Sequence, residues 1–223
     1  MLERDRLLSR IAVDIHELPP DRIIRVAIDG IDGAGKTIFA SEVAEKLRQL
    51  GRDVIRASVD GFHNPQAIRY QRGPASPEGF FRDSYNYAAL KTLLLDPLSP
   101  GGSGRYRSTA FDHFTDQAVS TSEAQAFPGS ILIFAGIFLH RPELRTYWDF
   151  SIFLDVRFDV SIPRGARRGI GFGSADPESP QNMRYIEGQK LYLSECRPQE
   201  SATIVVDNNN LAIPRIIKNR ESI

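Results

Sequence analysis

IIRVAIDGIDGAGKT, residues Ile23 to Thr37, joins a short β-branched run to a glycine-rich segment that matches G-x-x-x-x-G-K-[ST] at every fixed position. The run Ile23 to Asp29 reads as a strand buried on both faces of a parallel sheet. Thr37 to Leu50 has helical periodicity and stops at Gly51, and Val54 to Val59 is a second strand that ends at Asp60. Strand, glycine loop, helix and strand make a βαβ unit. In such a unit the glycines let backbone amides turn inward around a phosphate, and the helix amino terminus adds its positive dipole end. Gly30, Asp32, Gly33, Ala34, Gly35, Lys36 and Thr37 are therefore the candidate nucleotide-binding residues. Lys36 has the reach for the β and γ phosphates, and the Thr37 hydroxyl can ligate Mg²⁺.

Away from this unit, Leu2, Leu7, Leu8, Ile11, Ile15 and Leu18 recur at helical spacing, predicting an amphipathic helix over 2–18 that Pro19 and Pro20 end. Ile131 to Ala135, Phe150 to Asp155 and Thr203 to Asp207 are three further short apolar runs separated by helix-compatible sequence. Five such strands with intervening helices predict a three-layer α/β fold with a mostly parallel sheet. The middle is irregular. Gly61 to Arg82 holds three prolines and three glycines, Tyr85 to Leu95 has helical character, and Pro97 to Ser108 is a loop with a Gly-Gly-Ser-Gly run. An insertion of that length in a compact domain points to function.

The 223 residues carry 28 Lys plus Arg against 28 Asp plus Glu, a formal charge of zero that argues against a generally basic nucleic-acid binder. With 41% hydrophobic and 25% charged residues the composition is globular. The lone Cys196 gives neither an internal disulfide nor a metal cluster. Charges are scattered through the amino-terminal segment, and no stretch has the length of a membrane span, so a soluble, cytoplasmic protein is expected. The base-reading N-K-x-D motif of GTPases does not occur, and the size suits a small phosphotransferase.

Ser58-Val59-Asp60-Gly61-Phe62-His63, with Arg72-Gly73 and Phe80-Phe81-Arg82-Asp83-Ser84-Tyr85-Asn86, resembles the uridine kinase, phosphoribulokinase and bacterial pantothenate kinase family of P-loop kinases. The resemblance covers roughly residues 22–207 and is strongest in the first half. It implies a sheet in the order 2-3-1-4-5 and a mobile arginine-bearing lid. It also implies that Asp60 is the base for the acceptor hydroxyl and a neighbour of the metal, a role that suits a carboxylate at a strand end beside the phosphate loop. Tyr106 matches the tyrosine lining the acceptor pocket of uridine-kinase-like enzymes, and Asp83 and His113 fall where acceptor contacts are expected. Tyr106 equally fits a packed aromatic, and His63 and His113 read more simply as loop histidines; His16 and His140 have no supporting context. Arg164 and Arg168 match the lid arginines that neutralise the transferred phosphoryl.

These readings combine into one kinase domain over residues 1–223, with an acceptor-site insertion at about 61–112 and a lid at about 164–182. The expected reaction moves the γ-phosphoryl of ATP, with Mg²⁺ held by Thr37 and Asp60, to a primary hydroxyl of a small molecule. A nucleoside such as uridine or cytidine leads, with pantothenate or another metabolite as the alternative. Neither nucleic acid nor a membrane is an expected partner, and a homo-oligomer is compatible with the reading. Two departures matter. Where the family carries a carboxylate before the glycine that follows the third strand, this chain has Ala135, which opens the alternative of a nucleotide-binding protein with weakened turnover. In the lid, Gly169 replaces a common acidic residue, and Pro163 and Gly165 disfavour a regular helix. The basic carboxyl end, with Arg215, Lys218 and Arg220, reads as a solvated face.

Overall fold

The computed structural model describes residues 3–167 and 173–219. Its central sheet has six strands: β1 (Ile24–Gly30), β2 (Val54–Ser58), β3 (Ile131–Ala135), β4 (Phe150–Asp155), β5 (Ile204–Asp207) and β6 (Arg215–Asn219). They lie in the order β2-β3-β1-β4-β5-β6, which contains the expected 2-3-1-4-5 arrangement. The first five are parallel and β6 is antiparallel to β5. Every residue of β1 and β3 is buried, as the contiguous apolar runs require.

β6 is a finding the sequence reading missed. Its residues alternate between exposed and half-buried. A one-faced edge strand carrying Arg215, Lys218 and Asn219 looks like a solvated stretch, and its lysine blunts the open edge.

Helices cover both faces. On one, α1 (Glu3–His16) and α2 (Lys36–Gln49) bring Leu8, Ile11, Ile15, Phe39, Val43 and Leu47 onto the sheet. On the other, Phe62, Phe80, Phe81, Leu94, Phe138 and Tyr192 form the second core. The segment read as irregular contains α3 (Pro77–Asp83), capped where the Gly79 amide donates to Ser76 Oγ at 3.0 Å and started by a proline at its first position. The helical stretch expected from Tyr85 begins instead at Tyr87, because the Asn86 side chain accepts from the Ala89 amide and caps it. α4 (Phe158–Ala166) forms in spite of Pro163 and Gly165, and α5 (Met183–Cys196) is the last long helix described. Among the described residues no helix is long and apolar enough to cross a membrane.

Candidate active site

The phosphate loop connects β1 to α2. Gly30, Gly33 and Gly35 have φ of 152°, 75° and 92°. At Gly33 a Cβ would also lie 2.1 Å from the Ser161 carbonyl oxygen on α4, so only glycine fits. The α2 amino terminus has no side-chain cap, which leaves its first amides for an anion. Lys36 Nζ donates to the Ile31 carbonyl at 2.8 Å, folding the lysine back across the loop. From outside, the Asp32 amide donates to Gln189 Oε1 at 2.6 Å and Asn208 Nδ2 donates to the Ala34 carbonyl at 2.8 Å. Asp32, Gly33, Gly35, Lys36 and Thr37 line one wall of a cleft of about 630 Å³, while the buried Gly30 and Ala34 shape the loop behind it.

Asp60 lines the same cleft from a short turn, Val59–Phe62, at the carboxyl end of β2. Ser58 Oγ accepts from the Asp60 amide at 3.2 Å and donates to Asp60 Oδ2 at 3.1 Å, which aims an exposed carboxylate toward the loop. Next to it the His63 ring stacks on His113 with centroids 4.4 Å apart and meets Tyr85 at 4.5 Å, while His63 Nδ1 lies 2.9 Å from the Asp60 carbonyl oxygen. These two histidines together form an aromatic wall of the cleft. Burial holds the His63 imidazole below its ordinary pKa, opposed by the Asp60 carbonyl and carboxylate and helped by His113 and Arg69. Burial, and then the charges of Asp60 and Asp32, push the Tyr85 phenol well up, so it stays neutral.

The remaining lining includes Arg69, Tyr70, Phe80, Arg184 and Tyr185, none of which the sequence assigns to a site. Other expected residues lie elsewhere. Asp83 pairs with Arg72 at 2.8 Å, and Tyr106 packs against the second core from a two-residue strand paired with Ala124; neither lines the cleft. Arg164 donates to the Asn208 carbonyl at 3.0 Å and to the Asn209 carbonyl. It thereby lines a separate depression of about 470 Å³ against Gly33, Gly35, Ile38, Arg167 and Leu211. Arg168 and Gly169 lie outside the described residues. Ala135 and Gly136 border the cleft, whose lining carboxylates are Asp32 and Asp60. Thr37, Ser58, Asp60 and Asp32 are hard oxygen donors, and among the described residues no three His, Cys, Asp or Glu gather into a metal cluster. That donor set fits Mg²⁺, which favours one or two carboxylates with phosphate and water oxygens.

Behind the loop, Asp29 Oδ2 accepts from the Tyr192 hydroxyl and lies 2.6 Å from His140 Nδ1, all three buried, while Asp29 Oδ1 accepts from the Gly30 amide at 2.7 Å. This ties the loop to α5. His140, which had no sequence context, thus has a structural role.

A family model described as the phosphoribulokinase / uridine kinase family matches residues 24–171, well over half of the chain. The chain belongs to that family. It is therefore a P-loop kinase. A uridine kinase of Schizosaccharomyces pombe is 26% identical over 209 residues, 89% of this chain and 44% of the relative, so the chain spans less than half of that protein. A thymidylate kinase of Xylella fastidiosa is 28% identical over 180 residues, 77% of this chain and 74% of the relative. Among solved structures, one described as a possible uridine kinase from Bacillus stearothermophilus superposes with a TM-score of 0.70 at 20% identity, covering 91% of this chain and 96% of its own. That likeness supports the same kinase fold.

Proposed function

We propose that this kinase transfers the γ-phosphoryl of ATP, in the presence of Mg²⁺, to a hydroxyl of a small-molecule acceptor. The observation that carries the reading is the shared cleft. Asp60 stands in it with Lys36 and Thr37, so a proton acceptor and a phosphate-binding loop face one space. The α2 amides and Lys36 hold the β and γ phosphates, and Thr37 and Asp60 hold the metal. When bound, Mg²⁺ neutralises charge on the phosphate oxygens. Asp60 takes the hydroxyl proton as the acceptor oxygen attacks in line. The depression beside Gly33 and Gly35, walled by Ile38, Leu211, Arg164 and Arg167, is the place proposed for the nucleotide base. Arg164 and Arg168 are the residues proposed to neutralise the transferring group, a role that requires Arg164 to leave the Asn208 and Asn209 carbonyls.

The aromatic wall suits a ring-bearing acceptor, so uridine and cytidine are the first acceptors to test, with pantothenate-like hydroxy acids as the second class. The reading places a single kinase domain over 1–223, with its acceptor insertion and lid, in the cytoplasm, and leaves nucleic acid out of the partners.

ADP release with ATP and Mg²⁺ across an acceptor panel tests this. Asp60→Asn is expected to lower acceptor-dependent turnover about 100-fold or more with ATP binding retained. Turnover that survives the change would remove Asp60 as the base. Ala135 supports a second reading, a nucleotide-binding protein with weakened turnover, because its methyl borders the cleft where a carboxylate would face the metal. Under it, Ala135→Asp raises turnover and tightens Mg²⁺ activation; unchanged values would clear the position of any metal role.

A further inference from the structure

Three arginines are buried among the described residues: Arg25 at 6%, Arg141 at 9% and Arg184 at 8% exposure. Two of them have carboxylate partners. Arg25 Nε lies 3.0 Å from Asp149, and Arg141 Nη2 lies 2.8 Å from Glu143. Arg184 is joined to no carboxylate among the described residues. Its Nη1 donates to the Pro74 carbonyl at 2.5 Å and its Nη2 to the Arg69 carbonyl at 3.2 Å, while its Nε is buried with no partner. The guanidinium also lies over the Tyr70 ring, 4.4 Å from its centroid.

Backbone dipoles and an aromatic face hold the group in place without cancelling its charge. Buried charges in proteins are ordinarily paired, because an unpaired one forfeits its hydration without compensation. Burial works against the Arg184 cation, opposed by Tyr70 and Tyr185 and aided to a smaller extent by the like charge of Arg69. Arg69 does not relieve this. It lines the same cleft, and its own guanidinium is paired to Asp116 at 2.8 Å.

Resting on the kinase reading above, we infer that the acceptor carries, besides its hydroxyl, an anionic oxygen group, a carboxylate or a phosphate, for which Arg184 in the acceptor cleft is the counter-ion. The acceptor would bridge the cleft with its hydroxyl toward Asp60 and its anion on Arg184. Arg184 is a specificity-determining residue in this account, and Arg69 adds to the local field. A charge-assisted contact to a desolvated guanidinium is among the stronger polar interactions available to a ligand. Neutral nucleosides, placed first on the acceptor panel above, would forgo it, so the inference favours the hydroxy-acid class over them.

The test uses the whole chain with the phosphate loop filled by a non-hydrolysable ATP analogue and Mg²⁺, so that added anions cannot occupy that loop. Thermal unfolding is followed with glycerol, D-glycerate and glycerol 3-phosphate at matched ionic strength. One or both anions are expected to raise the Tm while glycerol does not, and the two anions separate a carboxylate site from a phosphate site. Arg184→Gln should abolish the rise, and Arg184→Lys, which keeps the charge, should retain part of it. Absence of a shift with either anion in the unmodified protein, or an equal shift in Arg184→Gln, overturns the inference. If Arg184→Gln fails to fold, the comparison of anions with glycerol in the unmodified protein and in Arg184→Lys decides. ADP release then reads kcat/KM, with anion-bearing acceptors favoured over their neutral counterparts by about tenfold or more. Because the binding arm needs no turnover, loss of acceptor-dependent ADP release counts against the kinase reading, while loss of the anion shift counts against Arg184 alone.

Discussion

His63 links stability to pH. Burial depresses its pKa below the 6.5 expected of the unfolded chain, with Asp60 opposing. Above that value both states are neutral and the residue contributes no pH dependence. As pH falls through it, the unfolded chain takes up a proton that the fold resists, so stability declines until the folded pKa is passed. His63→Gln is therefore expected to flatten the fall of Tm as pH drops below about 6.5, measured by calorimetry. An unchanged slope would assign the acid sensitivity to other groups. Asp60 shows the complementary arrangement, since Ser58 at the end of β2 orients its carboxylate and leaves it exposed to an incoming hydroxyl.

α3 is short, and its value lies in what it carries. Phe80 reaches the cleft, and Asp83 holds Arg72. Its approach to α5 depends on Gly188, where a Cβ would lie 2.7 Å from the Pro77 carbonyl oxygen and 2.8 Å from the Phe80 ring. The helix is fixed at its start by the Ser76 cap. Ser76→Ala is expected to cost about 1 kcal/mol. That lowers Tm by about 2–4 °C in a chain of this size. Because the frayed turn precedes Phe80, KM for the acceptor should rise more than KM for ATP; equal changes would show that the helix start does not shape the acceptor end. Ser76 followed by Pro77 is a helix-start signal in the sequence, and the surrounding glycines and prolines masked it. Pro163 shows the opposite case, because packing of the buried Ser161 against the phosphate loop holds α4 in place despite a residue that disfavours it.

α5 connects both halves of the cleft to the core. Arg184 and Tyr185 line the cleft, Gln189 accepts from the Asp32 amide, and Tyr192 donates to Asp29 beneath the loop. A change at Gln189, which is buried, should therefore be felt at the nucleotide. Losing this hydrogen bond removes the Gln189 contact that fixes the loop, at about 0.5–1.5 kcal/mol. Gln189→Ala should weaken ATP binding about tenfold and disturb acceptor KM as well, read by isothermal titration and steady-state kinetics. Unchanged ATP affinity would show that the loop holds its shape without α5.

The phosphate loop, the five parallel strands and the position of Asp60 are legible in the chain because their determinants are local. Eight consecutive residues specify the loop, and strands buried on both faces leave contiguous apolar runs. β6 escaped because a one-faced edge strand leaves only a diluted alternation. The acceptor end escaped for a different reason. Arg184 meets Pro74 and Arg69 across 110 and 115 residues, and His140 and Tyr192 reach Asp29 across 111 and 163. Such meetings carry no spacing signal. They come from tertiary packing, which places Arg69 and Arg184 in the cleft and leaves Tyr106 and Asp83 out of its lining.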